Sequence, residues 1–206
     1  MWDAFGELCY RPPVERLGDR ALRFARPHAA PGRILEAVRA WPGVIDAVIA
    51  AHDVAIYFDA EPSDDYEALI EELATLPLDS IAGREHEIRV AYDGEDLAAV
   101  ATTTRLSVAE VVAAHHAATY DVASIGFLPG FAYLDGLDPR LELPRRETPR
   151  ARVPAGALAI AGTQTAVYPF ASPGGWHLIG RVIDGSMFTP EHGARLAFGD
   201  RVRFVT

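Results

Sequence analysis

The stretch from Ser124 to Arg181 sets the strongest limit on how this chain can fold. Glycine or proline recurs every few residues in four dense blocks, at residues 124–137, 144–154, 156–169 and 172–181. Proline fixes φ and has no N–H to donate, and glycine adopts backbone conformations that other residues avoid. The stretch therefore excludes long helices and favours short strands joined by tight turns. Stiff loops of this kind are also where binding sites are commonly carried.

Five short strands are predicted from residue 120 onward, at 121–127, 157–161, 165–168, 177–183 and 201–205. Many short strands separated by glycine and proline turns indicate a closed or sandwich-like β structure. Two helices are predicted before them, at 95–103 and 107–118. The second helix opens with Ser107 and Glu110 in the S-x-x-E spacing of a capping box.

The first part of the chain alternates strand and helix signals. The predicted order is a strand within 17–26, a helix from Pro31, a hairpin at 44–59, a helix capped by Ser63 and a strand at 87–92. The order β-α-β-β-α-β is the split pattern of ferredoxin-like sandwiches. We therefore predict an α+β protein, with an N-terminal ferredoxin-like α/β sandwich at 1–88 and a β domain at 89–206.

The composition argues against several classes of partner. The net charge is −10, whereas nucleic acids and anionic membranes are bound through basic surfaces. No apolar run reaches the roughly 18 residues of a membrane span, and the N-terminus lacks the basic start and apolar core of a signal peptide. Cys9 is the only cysteine, so no disulfide can form within the chain. We expect a soluble, cytoplasmic protein that binds neither nucleic acid nor membrane.

Two residue types are missing altogether. All 19 basic residues are arginine, so the chain can supply neither a Schiff-base lysine nor the lysine of a Walker A loop. Asparagine is also absent, which leaves Gln164 as the only side-chain amide. An amide donates and accepts hydrogen bonds at once, so it can recognise another amide such as a lactam. The alternative is a turn residue that bonds its own backbone.

Four arginines crowd the proline-bounded second block: Arg145, Arg146, Arg150 and Arg152. A guanidinium group binds carboxylate or phosphate through two parallel hydrogen bonds, so the loop is a candidate anion site or an interface with a companion protein. The alternative is a solvated loop whose arginines pair with Glu142 and Glu147.

A histidine at the end of the second predicted helix is a further candidate. His115 is either a general base or, as is commoner at a helix C-terminus, a capping residue. With Gln164 and Arg150 it completes the predicted catalytic residues. No spacing of His, Cys and Asp matches a metal site, and no G-x-S-x-G element is present, so we predict neither a metal centre nor a serine hydrolase.

Aromatic side chains supply the remaining candidates. Phe127, Phe131, Tyr133 and Trp176 could line a pocket, although strand aromatics are commonly core and Phe127 is expected there. Trp176 follows a Pro-Gly-Gly turn and is the better candidate for a pocket or an interface. The predicted substrate-binding residues are Phe131, Tyr133, Arg145, Arg152, Tyr168 and Trp176.

Three long motifs give the chain a family resemblance. They read GFLPGFAYLDGL at 126–137, PRRETPRARVPAGA at 144–157 and AGTQTAVYPFASPGGW at 161–176. With them the chain resembles the B subunit of the ATP-dependent bacterial 5-oxoprolinase, also called the allophanate hydrolase subunit 1 or KipI-like family. His115 matches the family's helix histidine. Two positions depart from the family pattern, because Ala157 replaces a serine and Ala166 replaces a glycine.

The resemblance implies a fold, a reaction and partners. The second domain is expected to be a cyclophilin-like β-barrel. Together with subunits A and C, the chain is expected to take part in opening 5-oxo-L-proline to L-glutamate with ATP, and to be inactive alone. Two other roles occur in the family: a carboxyltransferase-like subunit acting on a urea-derived substrate, and an inhibitor that binds a sensor histidine kinase.

Overall fold

The protein, described here by a computed structural model, consists of two compact units, Met1–Ile81 and Ala82–Thr206. The structure describes residues 14–50, 52–63, 65–77 and 83–206, so Cys9 lies outside the described residues. The division falls a few residues before the predicted boundary at residue 88. The difference arises because the strand at the boundary belongs to the second unit.

The described residues of the first unit form a four-stranded antiparallel sheet and two helices. Its strands are β1 (Glu15–Arg16), β2 (Ala21–Ala25), β3 (Val44–Ile49) and β4 (Asp53–Phe58), in the order β1-β2-β4-β3. Helices α1 (Pro31–Arg39) and α2 (Tyr66–Leu73) follow β2 and β4. Alternate strand residues and one face of each helix form the core: Leu22, Phe24, Val54, Ile56, Phe58, Ile34, Val38, Ile70 and Leu73.

Two sequence predictions for the first unit are confirmed and two are not. The helix beginning at Pro31 and the β3–β4 hairpin are present. The ferredoxin-like sandwich is not confirmed, because the strand expected to complete it is paired elsewhere. Ser63 does not cap a helix. Helix α2 begins at Tyr66 after Asp65, and the Ser63 hydroxyl instead lies 3.5 Å from an oxygen of the Asp65 carboxylate.

The second unit is a closed barrel of seven strands. Its members are β5 (Glu85–Ala91), β6 (Tyr120–Ile125), β7 (Ala132–Asp135), β9 (Ala157–Ala161), β10 (Gln164–Val167), β12 (His177–Val182) and β15 (Arg201–Val205). They close in the order β10-β7-β6-β15-β5-β12-β9. Neighbours are antiparallel except β15 and β5, which pair in parallel. Of the two predicted alternatives, a closed or a sandwich-like β structure, the closed one is present, while its likeness to cyclophilin remains a prediction.

The second unit also contains shorter elements that are not part of the barrel. Strand β8 (Arg150–Val153) pairs with β11 (Ser172–Gly174), and β13 (Phe188–Thr189) pairs with β14 (Gly193–Ala194). A 3₁₀ turn covers Pro139–Leu141. Strands β7 and β8 were not predicted, because they lie in blocks rich in glycine, proline and arginine.

Two helices connect β5 to β6: α3 (Leu97–Thr104) and α4 (Val108–Ala117). The predicted capping box of α4 is confirmed, since the Glu110 N–H donates to Ser107 Oγ at 3.2 Å and the Ser107 N–H donates to Glu110 Oε2 at 2.8 Å. In the described part of the chain, no helix alone has the length and apolarity to cross a membrane. Helices α3 and α4 meet that test only when joined across a 93° bend.

Strand β9 separates two apolar clusters, because its side chains alternate between two faces. Leu158 and Ile160 point into an interior core to which all seven barrel strands and both helices contribute. Ala157, Ala159 and Ala161 point into the opposite cluster, which contains several aromatic rings. These small side chains leave room for the rings, which places the aromatic side chains of the glycine-rich blocks on one face of the barrel.

Candidate functional site

Five aromatic side chains from the sequence motifs converge on that face. The ring of Phe131 lies at the centre, with ring centroids 4.9 Å from Tyr133, 5.3 Å from Tyr168, 5.9 Å from Trp176 and 5.4 Å from Phe127. Phe131, Tyr168 and Trp176 are buried, and Tyr133 is half-buried. We call these five residues the aromatic cluster. Of the predicted substrate-binding aromatics, only Tyr133 retains appreciable contact with solvent.

Phe127 differs from the expectation that it belongs to the core, since its exposed fraction is 60%. Its φ is +69°, and the Leu128 N–H donates to the Gly126 carbonyl at 2.9 Å. A turn closed over three residues with a positive φ at its centre is rare and strained. Such strain in a bulky residue persists only where the surroundings hold it, and it is concentrated at functional sites. The fold therefore presents this ring to solvent at a cost in backbone energy.

Two of the four loop arginines are fixed by one buried carboxylate that the sequence analysis missed. Asp96, only 5% exposed, accepts hydrogen bonds from Arg146 at 3.0 Å and from Arg150 at 2.7 Å. Its other oxygen accepts the Leu178 N–H at 2.7 Å. Arg150 also pairs with Glu95. Arg150, one of the predicted catalytic residues, therefore has a side chain that is only 16% exposed and is held by two carboxylates.

The charge of Asp96 is stabilised by its partners. Burial alone would raise the pKa of this carboxyl, but the hydrogen bonds from Arg150 and Leu178 and the charges of both arginines hold it below the ordinary value of 3.8. The signal available in the sequence was the run Asp93-Gly94-Glu95-Asp96 between a strand and a helix. A short acidic turn of this kind is usually solvated, so the sequence pattern did not identify it.

The other two loop arginines lie in different surroundings. The guanidinium carbon of Arg145 lies 6.0 Å from the centre of the Trp176 ring, within the range of a cation–π contact. Arg152 is exposed and lines a cleft with a volume of ≈ 430 Å³. The structure therefore divides the predicted anion loop into two bracing arginines and two arginines that can reach a ligand or a partner.

The cleft lies between the turn after β5, the turn that precedes β9, and strand β12. Residues 93–95, Pro154, Ala157 and Arg181 are among those that line it. Its back wall is very close-packed, because a Cβ on Gly94 would lie 2.3 Å from the Leu178 carbonyl oxygen and one on Gly180 would lie 2.3 Å from that of Ala91. Glycine is required at both positions, so the wall of the cleft is a defined surface.

His115 is buried in the interior core with no exposed surface. Its Nδ1 lies 2.9 Å from the Tyr92 hydroxyl and its Nε2 lies 2.9 Å from Thr165 Oγ1. Since the Thr165 hydroxyl donates to the Ala159 carbonyl at 3.0 Å, His115 Nε2 carries the proton and Nδ1 accepts from Tyr92. Burial lowers the pKa of His115 to about 3. This packing is that of a structural residue, and it gives no support to the predicted role as a base.

Gln164 lies at the start of β10, opposite Asp135 of β7. Its amide nitrogen donates to Asp135 Oδ1 at 2.7 Å, so one of its two N–H donors is already engaged. The amide oxygen stays available as an acceptor in a half-exposed side chain. The predicted recognition of a lactam by Gln164 remains a prediction. Among the described residues, no three His, Cys, Asp or Glu side chains are grouped so that they could hold a metal ion.

Comparisons with known proteins agree with this architecture. Residues 21–195 match a family model described as the carboxyltransferase domain, subdomain C and D. The 5-oxoprolinase B subunit of Bacillus subtilis is 36% identical over 96% of this chain and 94% of its own length. The chain belongs to the family of 5-oxoprolinase B subunits. A second member, the 5-oxoprolinase B subunit of Haemophilus influenzae, is 37% identical over 79% of each chain.

Solved structures place the same fold within longer polypeptides. TTHA0988, whose crystal structure is known, is 38% identical in sequence to the present protein, and the two structures align with a TM-score of 0.77 over 90% of the present chain. This chain spans only 40% of TTHA0988. The urea amidolyase of K. lactis contains a similar region with a TM-score of 0.73 over 95% of this chain and 15% of that one. At 18% identity, the second likeness shows the fold alone.

Proposed function

We propose that this chain is the B subunit of an ATP-dependent 5-oxoprolinase, which opens 5-oxo-L-proline to L-glutamate. The observation that carries the proposal is the relative from Bacillus subtilis, named as a 5-oxoprolinase B subunit, which matches over nearly the full length of both chains. The three sequence motifs, which supplied the resemblance, provide the aromatic cluster, the arginines at Asp96 and one wall of the cleft.

The chemistry of the reaction explains why ATP is needed. A lactam is a poor electrophile, and transferring a phosphoryl group from ATP to its oxygen activates the carbonyl for attack by water. ATP is therefore a co-substrate of the complex. This chain has no lysine and no Walker A motif, so in this proposal ATP is bound largely by a companion subunit. The present chain contributes binding surface and arginine side chains.

The proposed companions are subunits A and C. In TTHA0988 the part of the chain that resembles this protein is joined to further polypeptide, which fits a role for a B subunit beside a second protein. The strained, exposed Phe127 is the best candidate for the contact. A Cβ on Gly130 would lie 2.9 Å from Phe188 Cβ, so the loop carrying Phe127 touches Phe188, whose ring lies 5.5 Å from that of the exposed Phe170. Phe127 and Phe170 are both exposed, and exposed aromatic rings are typical of interface hot spots.

The proposal is tested by reconstitution. This chain and the separately purified subunits A and C are assayed alone, in pairs and together for 5-oxo-L-proline-dependent release of phosphate and glutamate. We expect turnover only from the full set and co-elution of this chain with the C subunit. Full turnover by this chain alone would contradict the need for companions. Failure to bind the C subunit, together with inhibition of a sensor histidine kinase, would favour the inhibitor role instead.

A further inference from the structure

The cleft beside β12 lies in a locally basic region of an acidic protein. Four arginines and three carboxylates surround the cleft and the loop behind it: Arg146, Arg150, Arg152, Arg181, Asp93, Glu95 and Asp96. The balance is one positive charge in excess, whereas the whole chain has a net charge of −10. Such a local reversal favours an anionic ligand.

The excess charge can be assigned to one side chain. Arg181 Nε donates to Asp93 Oδ2 at 2.9 Å, and the two arginines behind the cleft share Asp96 and Glu95. Within residues 14–50, 52–63, 65–77 and 83–206, Arg152 makes no ion pair and no side-chain hydrogen bond. A free guanidinium group at the mouth of a cleft is a ready partner for a carboxylate.

The remaining walls favour a small organic anion. Ala157, Leu178 and Pro154 provide apolar surface, and the two glycines bring the backbone of the 93–95 turn against β12. A volume of ≈ 430 Å³ falls within the range of about 300 to 1,000 Å³ that is usual for small-molecule sites. An apolar wall with one unpaired cation at its edge suits a compact ring that carries one carboxylate.

We propose that this cleft binds the carboxylate of a small cyclic amide acid, with Arg152 as the group that pairs with it. Naming 5-oxo-L-proline as that acid rests on the proposed function. Arg181 also lines the cleft, but Asp93 already neutralises its charge. Gln164, which the sequence analysis assigned to amide recognition, and the aromatic cluster do not line this cleft, whereas Arg152, one of the predicted substrate-binding residues, does.

The test measures ligand binding rather than ATP turnover. Isothermal titration calorimetry is carried out on this chain and on its complex with subunits A and C, with 5-oxo-L-proline, 2-pyrrolidinone and inorganic phosphate as probes. 2-Pyrrolidinone is the same lactam without the carboxylate, so we expect it to bind at least about tenfold more weakly than 5-oxo-L-proline. We expect Arg152→Gln to weaken 5-oxo-L-proline about tenfold or more and to leave the affinity for 2-pyrrolidinone unchanged.

Arg203→Gln is the matched control. Arg203 is an exposed arginine on β15, 3.7 Å from Glu87 and outside the cleft, and its replacement should leave all three affinities unchanged. The proposal is wrong if Arg152→Gln binds 5-oxo-L-proline as the unaltered protein does, or if neither the chain nor the complex binds it. Tighter, Arg152-dependent binding of phosphate would overturn the carboxylate assignment. If Arg152→Gln turns over 5-oxo-L-proline normally in the complete complex, the cleft is not the carboxylate site, but the proposed function stands. If 5-oxo-L-proline binds in an Arg152-dependent way but the complete complex shows no turnover, the cleft site stands and the proposed function is wrong.

Discussion

Asp96 is a buried carboxylate that holds several parts of the second unit together. It holds two arginines of the 144–154 loop and the backbone of β12 at once, so its replacement leaves two guanidinium groups without their counter-charge. We expect Asp96→Asn to lower the free energy of unfolding by about 3 kcal/mol, since breaking a buried pair is strongly destabilising. That corresponds to a fall in Tm of roughly 6 to 12 °C for a chain of this size. Thermal unfolding measures it.

The control is Asp121→Asn, because the Asp121 side chain is 72% exposed and lies 3.9 Å from Arg201. An exposed pair contributes about 0 to 1 kcal/mol, so its loss should be small. The pH dependence gives a second readout. The folded pKa of Asp96 is below 3.8, so its stabilisation is complete above that value and is lost as the pH falls through the folded pKa. Equal Tm values for the two variants would contradict the bracing role.

The burial of His115 leads us to expect a second pH dependence of the free energy of unfolding, in a different pH range. Burial lowers its pKa from 6.5 to about 3, so between these values the unfolded chain takes up a proton that the folded chain does not. Stability is therefore complete above pH 6.5 and falls by about 1.4 kcal/mol per pH unit below it. We expect this residue alone to make the protein about 2 kcal/mol less stable at pH 5 than at pH 7. Urea unfolding of the protein and of His115→Gln measures the difference, which the variant should lack.

The sequence identified candidate side chains more readily than the residues to which those side chains bond. The arginine loop, the lone amide and the helix histidine all stand out by composition or position. Their partners, Asp96, Asp135 and Tyr92, lie from 23 to 54 residues away in the chain. No local pattern reports a contact across that separation, so the chemistry of each side chain could be proposed while its engagement in the fold could not.

At the scale of elements, the loop at 126–130 is where local rules and tertiary structure disagree. The strand pattern continues to residue 127 and predicts Phe127 in the core, but β6 ends at Ile125. The chain then turns through a positive φ and exposes the ring. By contrast, the predicted bounds of β9 and β15 and the α4 capping box agree with the structure, because alternation and capping chemistry act over neighbouring residues.

This loop yields a prediction about the companion interface. Phe127→Ala should weaken binding of the C subunit about tenfold or more, as expected for an aromatic hot spot, and should change Tm little because the ring is mostly exposed. Surface plasmon resonance with the purified partner gives the dissociation constant. Val108→Ala serves as the control, since Val108 is a 43% exposed apolar residue at the start of α4. If both variants bind equally well, the strained loop is not part of the contact.

At the scale of the molecule, the sequence predicted a closed or sandwich-like β structure, and it assigned one strand to the wrong unit. The pattern of β5 is the same whether it pairs with the first sheet or with the barrel, and pairing is decided by long-range contacts. In the structure β5 lies between β15 and β12, with a parallel partner on one side and an antiparallel partner on the other. The ferredoxin-like sandwich is not confirmed for that reason, since the sixth element of its pattern is a barrel strand.

The position of β5 makes domain boundaries testable with matched fragments. All seven barrel strands lie between Glu85 and Val205, so a fragment of residues 83–206 contains every strand needed for closure. A fragment of residues 92–206 lacks β5 and leaves the facing edges of β15 and β12 unpaired, which exposes backbone groups and opens the core at Ile88 and Val90. We expect cooperative thermal unfolding and strong near-ultraviolet circular dichroism from the longer fragment only. Because the two fragments differ by nine residues, equal cooperativity would mean that the barrel closes without β5, and the boundary would then belong after residue 91.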